Sequence, residues 1–202
     1  IPESIGLLTA LYSIRMFGLS GTIPEALFTL QNLTYIVLSY NKLSGTIPKS
    51  IGDLQSVEWI DLSNNDLSGT IPSSVGNLVS LYDIALKENQ LSGTIPSSIG
   101  NCQNLTGLHL YSNPLTGLIP STLSSENMPN LRWCLLGDSG LCFDASIDTE
   151  CDVRIPVSVG MILSSLMIDG KCPCPVEEIV ESGSLQVYVG VVSIVAAVLL
   201  IV

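Results

Sequence analysis

A six-residue string, Leu-Ser-Gly-Thr-Ile-Pro, recurs along this chain at a fixed interval. Its exact copies end at Pro24, Pro48, Pro72 and Pro96, a variant ends at Pro120, and successive copies lie 24 residues apart. Self-similarity at a period of about 20–50 residues is the signature of a solenoid, in which each repeat forms one coil that stacks on its neighbours. Such a fold offers a continuous binding surface rather than an enclosed catalytic pocket.

Two apolar periods alternate within each repeat. From Leu33 the pattern is L-x-x-I-x-L-x-x-N-x-L, and the alternation around Ile36 and Leu38 predicts a short strand with one buried face. The stretch before each strand, such as Pro48 to Leu54, begins with proline and spaces its apolar residues three apart. It predicts a short helical turn on the opposite side of the coil.

An asparagine follows each predicted strand at the same offset, as Asn41, Asn65, Asn89 and Asn113. Its side-chain amide can both donate and accept hydrogen bonds. We expect it to bond backbone groups where the chain turns inward, groups that would otherwise be buried without partners. The asparagine column is therefore predicted to be structural.

The string P-x-x-I-G-x-L-x-x-L-x-x-L-x-L-x-x-N-x-L-S-G-x-I, from Pro2 to about Leu141, closely resembles the plant-type leucine-rich repeat. The resemblance implies an α/β solenoid, a right-handed superhelix with a parallel β-sheet on its concave face and a second short strand at Ser-Gly-x-Ile-Pro. Residues 1–141 then form about six coils, the first incomplete. Plant receptor-like proteins and receptor-like kinases carry such repeats outside the cell, and similar repeats occur in protist surface antigens.

The composition changes after the repeats. Residues 142–176 contain four of the six cysteines and predict a cysteine-containing cap, and residues 177–184 predict a short stalk. Residues 185–202 carry no charge and at about 1.5 Å per residue would extend roughly 27 Å, which predicts a single transmembrane helix. The small residues 182–184 also allow a lipid-anchor signal, although its usual polar spacer is missing.

Cysteines in an extracellular protein favour disulfides over metal ligation. The candidates are Cys142, Cys151, Cys172 and Cys174, with Cys142–Cys151 as a plausible bridge across the cap. Cys134 occupies an inward leucine position and is expected to be a buried thiol.

The charge balance excludes some classes of partner and of chemistry. Acidic residues outnumber basic ones by 18 to 7, for a net charge of −11, which disfavours nucleic acid and favours a basic or neutral partner. His109 is the only histidine, and no nucleophile or metal-ligand motif accompanies it. Carboxylates on an open sheet do not form an enclosed hydrolytic site. We expect no enzymatic activity, metal or cofactor.

The exposed strand positions form the predicted ligand-binding face. Adjacent strands lie about 4.8 Å apart, so Tyr35 and Trp59 are expected to be neighbours in one column. Large aromatic side chains on an exposed sheet are typical anchors for a partner. The candidate ligand-binding residues are Tyr35, Val37, Trp59, Asp61, Asp83, Lys87, His109, Tyr111 and Trp133.

Two further motifs recur at fixed offsets. Asn32-Leu-Thr34 and Asn104-Leu-Thr106 are glycosylation sequons, which fits an extracellular location. A threonine column, Thr22, Thr46, Thr70 and Thr94, could form a flat array that binds ice. We favour the simpler interpretation, that a β-branched residue suits a short strand.

The leading hypothesis is a membrane-anchored extracellular recognition module, a receptor-like protein or surface antigen with a single span in the plasma membrane. It would bind a protein, peptide or glycan on the concave face and leave signalling to a missing domain or a co-receptor. The alternative is a soluble inhibitor or structural wall protein similar to the polygalacturonase inhibitors. The apolar segment 185–202 disfavours that alternative.

Overall fold

The computed structural model describes residues 1–124, 126–136 and 140–142. The predicted stalk and apolar segment lie outside the described residues, as does the predicted cap after Cys142, including Cys151, Cys172 and Cys174. Among the residues described, no helix is long and apolar enough to cross a membrane.

The concave face is a parallel sheet with one three-residue strand from each coil. In the described part of the chain it has six strands, which are the odd-numbered ones. They are β1 (Ser13–Arg15), β3 (Tyr35–Val37), β5 (Trp59–Asp61), β7 (Asp83–Ala85), β9 (Gly107–His109) and β11 (Trp133–Leu135), paired in that order. Residues at the same repeat offset pair directly, as Tyr35 does with Trp59 and Trp59 with Asp83. The sequence prediction of a parallel concave sheet is confirmed.

A second set of parallel strands forms the lateral side of each coil. They are β2 (Ser20–Thr22), β4 (Lys42–Thr46), β6 (Asp66–Thr70), β8 (Gln90–Ser92), β10 (Thr116–Leu118) and β12 (Gly140–Cys142). The first four form one sheet, β10 pairs with β12, and a single bridge joins Gly93 to Leu115. The first four strands include the Ser of each Leu-Ser-Gly-Thr-Ile-Pro string and end before its Ile-Pro, so the second short strand that the resemblance implied is present but stops short of Ile-Pro.

Each described helical element is a single 3₁₀ turn rather than an α-helix. The turns span Glu3–Leu7, Glu25–Thr29, Lys49–Asp53, Ser73–Asn77, Ser97–Asn101 and Ser121–Leu123. A proline precedes each turn, and its missing N–H is not needed at that position. With five residues or fewer per turn, the coil has room only for this tight geometry.

The core is a continuous apolar column enclosed by the coils. Strand residues such as Ile36 and Leu38 meet turn residues such as Ile51 and Leu54, all with at most 1% of their surface exposed. Burying one such side chain contributes about 1.5–3 kcal/mol. Repetition of this contact from coil to coil holds the concave strands in register.

The asparagine column binds the backbone of two coils at once. The Asn89 side-chain oxygen accepts from the Leu67 N–H at 3.0 Å, and its amide donates to the carbonyls of Leu62 and Leu86, both at 3.0 Å. Asn41, Asn65 and Asn113 make the equivalent bonds. The predicted structural role is confirmed.

Contacts between a threonine of one coil and a glycine of the next set the distance between the lateral strands. The Thr46 methyl lies against Gly69 of the next coil, where an added Cβ would come within 2.8 Å of it. Thr22, Thr70 and Thr94 stand in the same way against Gly45, Gly93 and Gly117. Each of these glycines also has a positive φ, which glycine adopts without strain. The threonine column therefore has a packing role, which supports the structural interpretation.

Replacement of Asn89 by alanine tests the asparagine column. The change leaves the buried Leu67 N–H without a partner, while the Leu62 and Leu86 carbonyls each keep a bond from the asparagine of a neighbouring coil. We therefore expect Asn89→Ala to lower the free energy of unfolding by about 1–3 kcal/mol. Urea denaturation followed by circular dichroism measures the change. Asn77→Ala, at an exposed turn position, is the matched control and should stay within about 0.5 kcal/mol of the wild type. Equal midpoints for both variants would contradict the assigned role.

Candidate functional site

Tyr35 and Trp59 form an exposed aromatic pair near the middle of the concave sheet. They are register partners on β3 and β5, and 41% and 36% of their surfaces are exposed. The Tyr35 hydroxyl donates to the Glu58 carboxylate at 3.2 Å, which ties the phenol to the neighbouring coil. The expectation that the two aromatics are neighbours is confirmed.

The carboxylate of Glu58 changes the chemistry of this pair. Its negative charge, together with the hydrogen bond it accepts, raises the pKa of Tyr35. Deprotonation would remove the donor and place two negative charges together. Tyr35 therefore presents a hydrogen-bonded phenol to a ligand over the whole physiological pH range.

The second column contains Val37, Asp61, Ala85 and His109. The Asp61 carboxylate accepts from the Ser63 hydroxyl at 2.5 Å and from the Ser63 N–H at 3.1 Å, which fixes its orientation on the sheet. Ala85 is buried, with 8% of its surface exposed. Val37 and His109 are half-buried. Asp61 and His109 are the polar side chains of this column, and they lie beside the aromatic pair.

Lys87 and Tyr111 form a second contact between coils, at the exit of the strands. The Lys87 ammonium lies 5.2 Å from the centroid of the Tyr111 ring, a cation–π distance. Its interaction with the Tyr111 hydroxyl is the main cause of a raised pKa for Lys87. A second cation–π contact lies within the first coil, where the Arg15 guanidinium is 5.4 Å from the centroid of the Phe17 ring.

Asp83 departs from the sequence prediction. We expected it on the exposed face, but only 7% of its surface is exposed. The reason is its register partner Gly107, which has no side chain and leaves space for the carboxylate. Oδ2 lies 3.4 Å from Nε2 of His109, and no partner within the described part of the chain reaches Oδ1. An unpaired buried oxygen of this kind costs about 1–3 kcal/mol.

Sequence reasoning also missed a row of side chains just before the strands. Tyr12 and Tyr82 precede β1 and β7 and are 68% and 52% exposed. The signal available was their shared offset with Glu58, one residue before the strand. They widen the aromatic part of the concave face at its entry edge.

The remaining predicted sites have mixed outcomes. Trp133 lies on β11 opposite Gly107, and its side chain is outside the description. Asn32 and Asn104 are exposed, and their amides donate to the carbonyls of Thr9 and Val79 of the preceding coil, both at 2.9 Å. Glycosylation of these two residues stays a prediction.

The cysteines inside the repeats are buried. Cys102 and Cys134 occupy inward leucine positions with 0% and 2% of their surfaces exposed. Burial raises the pKa of Cys102 to about 11, so its thiol is unreactive at neutral pH. The prediction of a buried Cys134 is confirmed.

Family comparisons agree with the repeat architecture. Two leucine-rich repeat family models match the chain, one over residues 13–67 and the other over residues 80–102 and 104–125. A chain of the BIR3–SERK2 complex from Arabidopsis thaliana is 32% identical, with a TM-score of 0.54, and the match covers 69% of this chain and 72% of that one.

The chain belongs to the plant leucine-rich repeat family.

This leucine-rich repeat chain also matches part of two longer relatives. The plant peptide hormone receptor RGFR1, in complex with RGF2, is 38% identical with a TM-score of 0.66, and the match covers 70% of this chain and 22% of that one. PEPR1 in the PEPR1–AtPEP1 structure is 39% identical with a TM-score of 0.67, covering 70% and 20%. The leucine-rich repeat chain thus spans about a fifth of these receptors. No curated protein sequence matches it significantly.

The raised pKa of Tyr35 gives a test of the site's electrostatics. Replacing Glu58 by glutamine removes the charge that raises the pKa, so the titration of Tyr35 should move to lower pH, toward the ordinary tyrosine value of about 10. Nuclear magnetic resonance of ring-labelled tyrosine measures it. Glu88→Gln removes a carboxylate two coils away and should leave the Tyr35 titration unchanged. A Tyr35 titration that does not respond to Glu58→Gln would show that the contact is absent in solution.

Proposed function

We propose that this chain is the ligand-binding part of a receptor-like protein at the cell surface and that it binds an extended peptide along its concave face. The observation that carries the proposal is the exposed Tyr35–Trp59 pair near the centre of a rigid parallel sheet. Aromatic side chains in this setting gain most from being covered by a partner.

The surroundings of the pair suit a peptide. Asp61 and His109 on one side and Lys87 at the strand exits provide donors and acceptors of both charge signs, as the rim of a binding surface does. The asparagine column and the apolar core hold the strands in fixed register, so the ligand meets a preorganised surface. Within the described residues this sheet is an open surface that does not exclude water, which favours binding over catalysis.

The relatives support a peptide as the ligand. RGFR1 is a plant peptide hormone receptor in complex with RGF2, and it shares 38% of the aligned residues. The analogy is one of fold and repeat sequence, and specificity lies in the side chains that differ between relatives. Protein and glycan ligands are the other ligand classes for the same face.

A second protein chain is the other proposed partner. The relative from the BIR3–SERK2 structure is itself part of a complex of two proteins. A co-receptor of this kind would supply the signalling that a repeat array lacks. The strands of the lateral side and the edge of the concave sheet are the surfaces left for it once a peptide lies along the centre.

The location we propose is extracellular, with a single span in the plasma membrane at residues 185–202. The support is the uncharged apolar sequence of that segment and the relation to the ectodomain of a plant membrane receptor kinase, GASSHO1/SCHENGEN3, which is 34% identical. Glycosylation at Asn32 and Asn104 is part of the same proposal.

Removal of the aromatic pair tests the binding face. Peptides selected from a displayed random library on the wild-type chain should bind Trp59→Ala and Tyr35→Ala at least about tenfold more weakly, because truncation of a central aromatic anchor costs about 2 kcal/mol. Leu118→Ala is the matched control, since Leu118 is 54% exposed on the lateral side. Circular dichroism should show all three variants folded. Undiminished binding by both aromatic variants would rule out this face.

The membrane anchor is tested by extraction of the expressed chain. We expect it to stay with membranes in alkaline carbonate, because a spanning apolar helix is not released by loss of peripheral contacts. A variant that lacks residues 185–202 should be released. Release of the full chain by carbonate would contradict a spanning segment and favour the soluble alternative.

A further inference from the structure

The Asp83 carboxylate is a buried charge in the middle of the proposed binding face. Its register partner Trp59 is 36% exposed, yet Asp83 is only 7% exposed. Within the described residues no donor reaches Oδ1. Oδ1 is closed to solvent, and a ligand can reach this carboxylate only at the 10% of the side chain that remains exposed. A buried carboxylate whose acceptor capacity is not filled gains most from a donor that arrives there.

Gly107 is required for this arrangement. The carboxylate occupies the space above Gly107, so a Cβ at that position would overlap Oδ2 and would lie 3.0 Å from Nε2 of His109. Any larger residue on this part of β9 would expel the carboxylate. The acid and the glycine therefore form one local structure spread over two coils.

Two further side chains adjoin Asp83: His109 contacts its carboxylate, and Trp59 is its register partner on β5. The His109 side chain is 23% exposed, and its Nε2 faces Oδ2 at 3.4 Å. A single imidazole nitrogen fills only one of the acceptor positions of a carboxylate, which leaves capacity for a further donor. Trp59 is the register partner of Asp83 on β5, and 36% of its surface is exposed, so its indole is accessible to a ligand.

We propose that Asp83 and Gly107, with His109 and Trp59 beside them, form a specificity site for an arginine side chain of the ligand. A guanidinium is planar, always charged and rich in donors, so it can donate to the exposed edge of the Asp83 carboxylate and stack on an indole at the same time. The net charge of −11 favours the approach of a basic peptide. This site deepens the proposed function, since it rests on a peptide as the ligand and names the chemistry of one of its residues.

A metal ion fits this position poorly. Structural zinc sites use four ligands, and calcium takes at least about six oxygens. Asp83 and His109 are two ligands, and the described residues contain no group of three or more that could hold a metal. The chemistry of the position therefore favours an organic cation.

The site is tested with a minimal probe on the full 202-residue chain. His109 is the only histidine, so its imidazole carbon signals in a histidine-labelled sample report on this position alone. N-acetyl-arginine amide is the probe, and N-acetyl-citrulline amide is its uncharged isostere. At about pH 8 we expect a saturable shift with the arginine compound and none with the citrulline compound.

Three variants locate the effect. Asp83→Asn keeps the shape and removes the charge, and it should raise the Kd of the arginine probe about tenfold or more. Gly107→Ala should do the same by displacing the carboxylate. Asp66→Asn removes an equal charge from an exposed position on β6, and it should change the Kd by less than about twofold because such distant charges are screened.

Several results would overturn the site. They are a wild-type shift that does not saturate, an equal shift with the citrulline compound, and a Kd unchanged by Asp83→Asn. These results concern the arginine probe alone and are independent of the displayed-peptide selection. Peptide binding that survives Trp59→Ala and Tyr35→Ala would instead reject the proposed function and leave the arginine measurement standing.

Discussion

The structure depends on how each coil completes the backbone hydrogen bonds of its neighbour. A 24-residue coil is too short to bury its own polar groups, and stacking supplies the missing partners through the strand pairs and through the asparagine column. Asn89 shows the arrangement most clearly, since it bonds Leu62 and Leu67 of the preceding coil and Leu86 of its own. Everything presented on the concave face is held in place by these bonds.

Most of the fold was predictable because the same residue types recur at the same offsets. The inward leucines and isoleucines, the asparagine column and the adjacency of Tyr35 and Trp59 all follow from counting along the repeat. The type of helical turn could not be predicted from the sequence, because apolar residues spaced three apart fit both an α-helical and a 3₁₀ turn. The number of residues available in each coil decides between them.

The candidate binding face was less predictable than the scaffold, and Asp83 shows why. Counting along one repeat places it among exposed residues, but its burial depends on Gly107 in the next coil, 24 residues away. The bond between Tyr35 and Glu58 is likewise a contact between two coils. The burial and hydrogen bonding of side chains at the site therefore depend on pairs of neighbouring repeats. They cannot be predicted from the sequence of one repeat alone.

The threonine–glycine contacts have a consequence for the shape of the concave face. They set the spacing of the coils on the lateral side, while the strand pairs set it on the concave side, and the difference between the two spacings determines the curvature of the array. A bulkier residue at Gly69 would separate the coils on one side only. It would bend the sheet and change the angle between the Tyr35 and Trp59 rings without touching either, so the geometry of the candidate site depends on a surface that lies outside it.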